Sequence, residues 1–542
     1  MTDYYTNVQC VGNNILYRGI KNGRRVRMKI EYQPTLYLPT KKPSKWKTLE
    51  GTAVEPMKFS SIREARDFVR SYENVDGFKI FGNASFQYAY ISENNTTEII
   101  PWELDNLVIG NIDIEVGSSG GFPYPDTALE PITAITIKLS STNMFYVFGT
   151  GEYKAHRGDV VYHHAKDEYT LIKQFLSFWK ENYPDMLTGW NTKFFDIPYM
   201  TNRFRKIVGE QETKALSPWN LISERSVNRG MGKEDTTYEW NGISQMDYLE
   251  MYKWYAPDGT SQESYRLDHI AEVELGMNKL SYDEYDNLFD LYKRNYQLFI
   301  EYNIKDVELV DKLDEKLRLL ELCLTLAYDT KTNYEDVFAQ TRMWDSLIYN
   351  NLIAKNIVVP PKVIRGKDGM YVGAYVKDPQ VGMHKWIASF DLNSLYPHLM
   401  MQYNISPEML VEPEQYTDEM RKLVCSGIDV DKMLNRDVSL ASLEGVTCTP
   451  NGQFFRTDRQ GFLPKMMEDM YESRKKFKKM MLVEQQNYEN STDKDERLDL
   501  SKKISRYNNL QLAKKLSLNS AYGAMGSQYF RFFDLRLASA IT

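Results

Sequence analysis

The sequence predicts a multidomain chain that combines α/β and α+β domains. Three observations predict it. Between residues 107 and 150 three strand-like runs, LVIGNIDIEVG, PITAITIKLS and NMFYVFGTG, give way to the helical runs EYTLIKQFLSFWKENYP and IPYMTNRFRKIVG. That order predicts a sheet covered by helices. Residues 1–106 alternate short β-like runs with one helical stretch, SSIREARDFVRSYE, which predicts a small α+β domain. Residues 463–489 and 497–523 are long helical runs joined by the charged turn STDKDE, which predicts an antiparallel helical hairpin.

Between these parts, GKEDTTYEWNGIS (232–244) reads as a polar hairpin. Residues 288–330 carry a helical pattern with few breakers, and strand-like and helical runs alternate over 361–411. The 542 residues suffice for about three or four domains. Apolar content of 42% and charged content of 26% are ordinary for a globular protein, and no apolar run approaches the ~20 residues that span a bilayer. The N-terminus lacks a basic-then-apolar signal. A net charge of −7 leaves nucleic-acid binding open, because local patches outweigh the sum. The 13% of aromatic residues suits base stacking and large cores equally. Cys10, Cys323, Cys425 and Cys448 form no CxxC pair, which reads as reduced thiols without a zinc site.

NIDIEVG places Asp113 and Glu115 two apart in a strand, so both carboxylates share one face while Ile112, Ile114 and Val116 take the other. Paired carboxylates repel unless a cation sits between them. Asp196 follows in GWNTKFFDIPYM, just before Pro198, where it also suits a helix cap. In EYNIKDVEL, Tyr302 and Asp306 stack one helical turn apart, as they would in any amphipathic helix. WIASFDLNSLYPHLM reads as an apolar strand that delivers Asp391 and then turns. In the hairpin, Arg474 and Lys478 lie one turn apart on the first helix, and Lys515 and Asn519 on the second. Facing helices would aim these cations at one anion, such as a triphosphate.

In this order, Asp–x–Glu, Asp after WN…F, and Tyr–x–x–x–Asp resemble the three motifs of proofreading 3′–5′ exonucleases. DLNSLYP resembles motif A of family B DNA polymerases, and KLSLNSAYG resembles motif B. YVGAYV (371–376) resembles the family's Y-x-G-G/A stretch, with Ala374 at the second glycine. The resemblance spans the chain and points to the T-even-type bacteriophage replicative polymerases, whose VGNNILYRGI, ISPE and YFRFFDLRLASAIT runs recur here in order.

The resemblance implies an N-terminal domain (1–107), an RNase H-like exonuclease domain (108–317), and a helical segment returning to the N-terminal domain (318–360). It further implies the first part of a palm (361–461), helical fingers (462–526) and the start of a second palm part (527–542), with the thumb absent. It implies that Asp113, Glu115, Asp196 and Asp306 bind metal and that Tyr302 positions the attacking water. In the polymerase site it gives Asp391 and the Leu392 carbonyl to metal, Tyr396 to the sugar, and Arg474, Lys478 and Lys515 to the triphosphate. Asn519 and Tyr522 would line the nucleotide pocket, and Gly523 would let backbone approach the template base. The implied cofactors are Mg²⁺, two ions per active site with Mn²⁺ as an alternative, and the substrates are dNTPs. Implied partners are primer–template DNA, single-stranded 3′ ends, a sliding clamp, a clamp loader and a single-strand binding protein, in the cytoplasm of an infected bacterial host.

The family's motif C, Asp-Thr-Asp-Ser, is expected after motif B, yet no Asp-Thr-Asp occurs in these residues. The expectation is therefore an exonuclease on part of a polymerase, whose extension activity needs a second polypeptide carrying motif C and the thumb. A shortened chain is the alternative origin. A stand-alone 3′–5′ exonuclease and a nucleic-acid-binding regulatory protein are the alternative functions.

Overall fold

The alternation Ile112-Asp113-Ile114-Glu115 can be satisfied only in a strand with one apolar and one polar face, each covered. The computed structural model shows how. It describes residues 3–73, 75–97, 99–118, 120–228, 234–256, 261–363, 366, 373–441 and 443–542. The chain divides into two units. The first comprises residues 1–32, 93–324 and 333–338, and the second residues 33–92, 325–332 and 339–542. Residues 1–107 contribute to both units.

In the first unit β1 (Tyr4–Val11), β2 (Asn14–Lys21) and β3 (Arg24–Glu31) form an antiparallel sheet. A six-stranded mixed sheet follows. It contains β4 (Ile109–Val116), β5 (Ile132–Leu139), β6 (Met144–Gly149), β7 (Val160–His164) and β8 (Met186–Thr188). Among the described residues the hairpin strands β9 (Ile222–Asn228) and β10 (Glu234–Trp240) pair with each other alone, and β11 (Ser244–Gln245) returns to the larger sheet. The sheet order is β7-β6-β5-β4-β8-β11, which puts β4 inside the sheet. Helices α1 (Glu168–Glu181) and α2 (Asp196–Val208) pack on the isoleucine face, where Ile112, Ile114, Phe175, Trp179, Met200 and Phe204 share one core. The opposite face carries α3 (Tyr296–Leu317), whose Phe299, Ile300, Ile304 and Val307 pack with Ala134, Phe145 and Val147. The side chain of Asn295 caps its start, and it ends where Arg318 turns left-handed at φ 53°. The helical pattern over 288–330 is thus three helices, Leu288–Arg294, α3 and Leu319–Thr330.

The polar run over 232–244 supplies β10, while the hairpin begins at Ile222; residues 229–233 lie outside the described part. Trp240 anchors the hairpin. It is fully buried, stands edge-on to Trp179 at 5.6 Å, and donates Nε1–H to Thr201 of α2 at 3.0 Å. Gly189, after β8, sits where a Cβ would collide with the carbonyl oxygen of Ile112, so no larger residue lets the two strands run this close.

The second unit is built on α4 (Gln340–Ile353), α5 (Leu395–Tyr403), α6 (Phe462–Asn490), α7 (Lys494–Met525) and α8 (Leu535–Ile541). The expected hairpin is α6 and α7, and Asp493 caps α7 by accepting from the N–H groups of Asp495 and Glu496. Trp344, Met400, Leu463, Met467, Leu518, Ala521 and Phe530 form the core at its base. Thr35–Pro39, Trp46–Lys47 and Ala53–Lys58 make a three-stranded sheet, and Val446–Cys448 pairs with Phe454–Arg456.

One expected element does not form. Residues 386–390, read as an apolar strand, form no strand: Trp386 turns left-handed at φ 59°, and Trp386 and Phe390 are over nine-tenths exposed. A strand needs a ladder partner and a covered face, and no described strand supplies either. Around it, α5 is the only helix or strand among the described residues of 361–403, and residues 371–372 of YVGAYV lie outside them. No helix among the described residues is long and apolar enough to cross a membrane.

Two substitutions test this packing. Trp240→Ala removes a large fully buried side chain and its hydrogen bond, and should destabilise the first unit by about 3–5 kcal/mol in urea titrations. Gly189→Ala should destabilise despite adding one methyl; an unchanged urea midpoint would contradict the close approach of Gly189 to Ile112.

Candidate active site

Asp113 and Glu115 project from the polar face of β4 toward α3. Opposite Asp113 on α3 stands Asn303, which donates Nδ2–H to Asp113 Oδ2 at 2.6 Å. Asn303 is held in turn by the hydroxyl of Thr136, the β5 residue paired with Asp113 in the ladder. Asn111, two residues back on the same face, donates to the carbonyl of Val307 and the carboxylate of Asp311 at 2.8 and 2.7 Å. Strand and helix are therefore laced along their polar seam, which fixes where Asp306 falls. Oxygens of Asp113, Glu115 and Asp306 lie within 4.8 Å of one another.

Asp196 stands at the first residue of α2 and is buried. Its carboxylate does not cap that helix; it accepts the N–H of Ile114 at 3.1 Å, between the two β4 acids. The preceding turn is pinned by Asp247, whose buried carboxylate accepts the N–H groups of Asn191, Lys193 and Leu249 at 3.0, 3.0 and 2.9 Å. Asn191 is left-handed at φ 64°, the tight bend that brings Asp196 under β4.

Burial raises the pKa of all four carboxyls, and repulsion from other acids of the cluster adds to it at Asp113, Glu115 and Asp196. Glu115 is pushed up to about 8 by burial and the charge of Asp306. Asp196 rises to about 7 through burial, against the pull of the Ile114 N–H. Asp113, facing three other acids, rises well above its ordinary value. One cation opposes them: Lys279 pairs with Asp306 Oδ2 and donates to the Tyr302 hydroxyl at 3.2 Å. Burial works against the Lys279 charge, but the attraction of Asp306, Tyr302 and Asp113 outweighs it, so the ammonium persists. Tyr302 is further held edge-on by Tyr282 at 5.5 Å.

The donors present are hard carboxylate oxygens, suited to Mg²⁺ or Mn²⁺. Asp306 Oδ1 is buried without a hydrogen-bond partner, an unmet acceptor of the kind a cation satisfies. The residues fit divalent ions. Beside them, the loop after β4 exposes Phe122 and Tyr124, and Phe122 packs at 5.3 Å on Phe195, the neighbour of Asp196. Exposed rings at such a place suit base stacking.

Sequence reasoning missed Lys279, Asn303 and Asp247. Lys279 is a lone lysine with no spacing signal. Asn303 carried one, since it lies three residues before Asp306 on the same helical face.

The second unit gathers other residues. Tyr396 on α5 meets Tyr522 on α7, rings 4.9 Å apart. Lys478, Lys515 and Asn519 are exposed on α6 and α7, while Arg474 is partly buried with an unmatched Nε. Lys514 is drawn away to Asp329 at 2.6 Å, which separates its role from that of Lys515. On the inner side of α7, Ser520 accepts from Trp344 Nε1 at 3.0 Å. Asp391 and Leu392 are exposed in the unpaired segment, and among the described residues Asp391 joins no cluster of metal-ligand type.

Two family models match the chain: DNA polymerase family B, exonuclease domain, over residues 71–270, and DNA polymerase family B over residues 336–542. The whole chain is 32% identical to the DNA-directed DNA polymerase of Escherichia phage RB69 and 30% identical to that of Enterobacteria phage T4. It spans 65% of the length of each. Over 80% of the chain and 40% of the relative, it is 24% identical to the DNA polymerase delta catalytic subunit of Candida albicans. Two domain matches in family order, with similarity to phage polymerases along all 542 residues, place this chain in the family B DNA polymerases, carrying their exonuclease and polymerase domains.

Proposed function

We propose that the first unit is a 3′–5′ exodeoxyribonuclease in which Asp113, Glu115, Asp196 and Asp306 hold two divalent cations. The observation that carries this reading is the buried trio of Asp113, Glu115 and Asp306, with oxygens within 4.8 Å and one acceptor of Asp306 unmet. Cations bound there supply positive charge to the scissile phosphodiester and make water a stronger acid. The chain's own groups do the rest. Asn303 and the Ile114 N–H fix Asp113 and Asp196, and Lys279 fixes Asp306 and turns the Tyr302 hydroxyl. That hydroxyl orients the attacking water. Phe122 and Tyr124 stack the bases of a single-stranded 3′ end.

The second unit is the matching part of a nucleotidyltransferase site. Tyr396 and Tyr522 shape the pocket for the sugar and base of a dNTP, together with Asn519. Arg474, Lys478 and Lys515 bind its triphosphate, and Asp391 with the Leu392 carbonyl takes metal. Primer–template DNA is the substrate, and the setting is the cytoplasm of an infected bacterial host. Completing this site requires further carboxylates and strands that cover residues 386–392. The exposure of Trp386, Ile387, Phe390 and Leu392, and the isolation of Asp391, support this reading.

Three outcomes are expected. Asp113→Ala/Glu115→Ala should abolish Mg²⁺-dependent digestion of a single-stranded 3′ end, by at least about a thousandfold, while the fold persists by circular dichroism. Primer extension by the chain alone should be absent; extension would show that another carboxylate completes the site.

The third outcome concerns pH. Because the folded carboxyls hold protons that the unfolded chain has released, stability in EDTA should fall as pH rises from about 4.5 through about 8. Saturating Mg²⁺ should remove most of that fall, because it binds the deprotonated cluster. A flat melting profile in EDTA would contradict the buried cluster.

A further inference from the structure

A second charged recess lies in the polymerase unit, apart from every residue assigned above. It is a cavity of about 50 Å³, several times the ~10–15 Å³ that one water needs. Among the described residues three cations line it, Arg342, Lys362 and Arg531, together with the carboxylate of Asp345. Arg531 forms the floor, its side chain only 4% exposed between the buried Phe530 and Phe532. Arg342 and Lys362 reach solvent at the mouth.

The carboxylate is already shared. Lys362 Nζ binds Asp345 Oδ2 at 3.1 Å, and Arg531 Nε approaches Oδ1 at 3.4 Å without hydrogen-bond alignment, so both of those atoms keep unmet capacity. Arg531 also donates Nη1–H to the carbonyl of Pro360 at 2.6 Å, and Arg342 to the Tyr88 hydroxyl at 2.7 Å. Burial lowers the pKa of Arg531 more than Asp345 restores it. A guanidinium this buried, with half a carboxylate, wants an anion with several acceptor oxygens.

We propose that this recess binds a phosphate group, and that the phosphate belongs to the backbone of the DNA strand running past the polymerase site. Its place supports that source. Arg342 and Asp345 lie on α4, the helix whose Trp344 bonds Ser520 of α7. Gln340, one turn earlier on α4, is 3.0 Å from where a Cβ on Gly523 of α7 would stand. The source of the phosphate rests on the polymerase reading of the second unit; the charge of the recess does not.

The test uses Arg342→Gln/Lys362→Gln, which leaves the buried Arg531 in place. In EDTA, so that no strand is digested, fluorescence anisotropy compares a hairpin DNA with a long 5′ overhang and one without. The double variant should bind the overhang DNA about tenfold more weakly, with a salt slope shallower by about one to two. The DNA without an overhang should show a smaller change. In parallel, inorganic phosphate at constant ionic strength should raise the melting temperature of the wild type more than that of the variant.

A phosphate effect with unchanged DNA affinity would overturn the DNA source and assign the recess to a free anion. If wild type and variant agree in DNA affinity, salt slope and phosphate response, there is no phosphate site. A wild type that binds neither DNA counts against the polymerase reading, and the phosphate arm then decides the recess alone.

Discussion

Four carboxyls crowded into a buried pocket, with one ammonium beside them, set the terms for the first unit. Asp113, Glu115, Asp196 and Asp306 each lose solvation and each feel the others, and all four are driven toward the protonated form. A pocket of this kind is costly unless it has work to do. The surrounding structure keeps it from relaxing: Asn303 locks Asp113, the Ile114 N–H locks Asp196, and Lys279 locks Asp306. Stability is given up to keep these acceptor oxygens aimed at one shared space.

The sheet makes this possible. β4 is laddered to β5 over Gly110–Val116 and to β8 over Ile109–Asn111, and the Ile114 N–H is taken by Asp196, which resists a shift under the repulsion of its two acids. Gly189 lets the neighbouring chain approach closely enough for the turn at Asn191 to deliver Asp196. Asp247 holds that turn through three N–H groups. The second unit shows the opposite condition. Among the described residues Asp391 sits on an exposed segment with no ladder partner.

That contrast also explains what could be read from the sequence. Asp113 with Glu115, and Tyr302 with Asp306, were legible because strand and helix periodicity put each pair on one face whatever else the chain does. The α6–α7 hairpin was legible for the same reason. Asp196 was ambiguous, since an acid at a helix start is normally a cap; only the approach of Ile114 shows that its carboxylate serves the strand instead. Lys279 was invisible, because its role comes from a loop folding back on α3, a long-range event with no local signature. The strand expected at 386–390 failed for a complementary reason. Its apolar pattern reports what the residues suit, whereas a strand exists only when a partner is present.

Calorimetric titration of the metal-free chain with Mn²⁺ decides whether the buried acids form one divalent-cation site. About two ions should bind at this site with release of protons, and Asp113→Ala/Glu115→Ala should abolish both signals. Equal Mn²⁺ binding by wild type and variant, or none by either, would contradict the account.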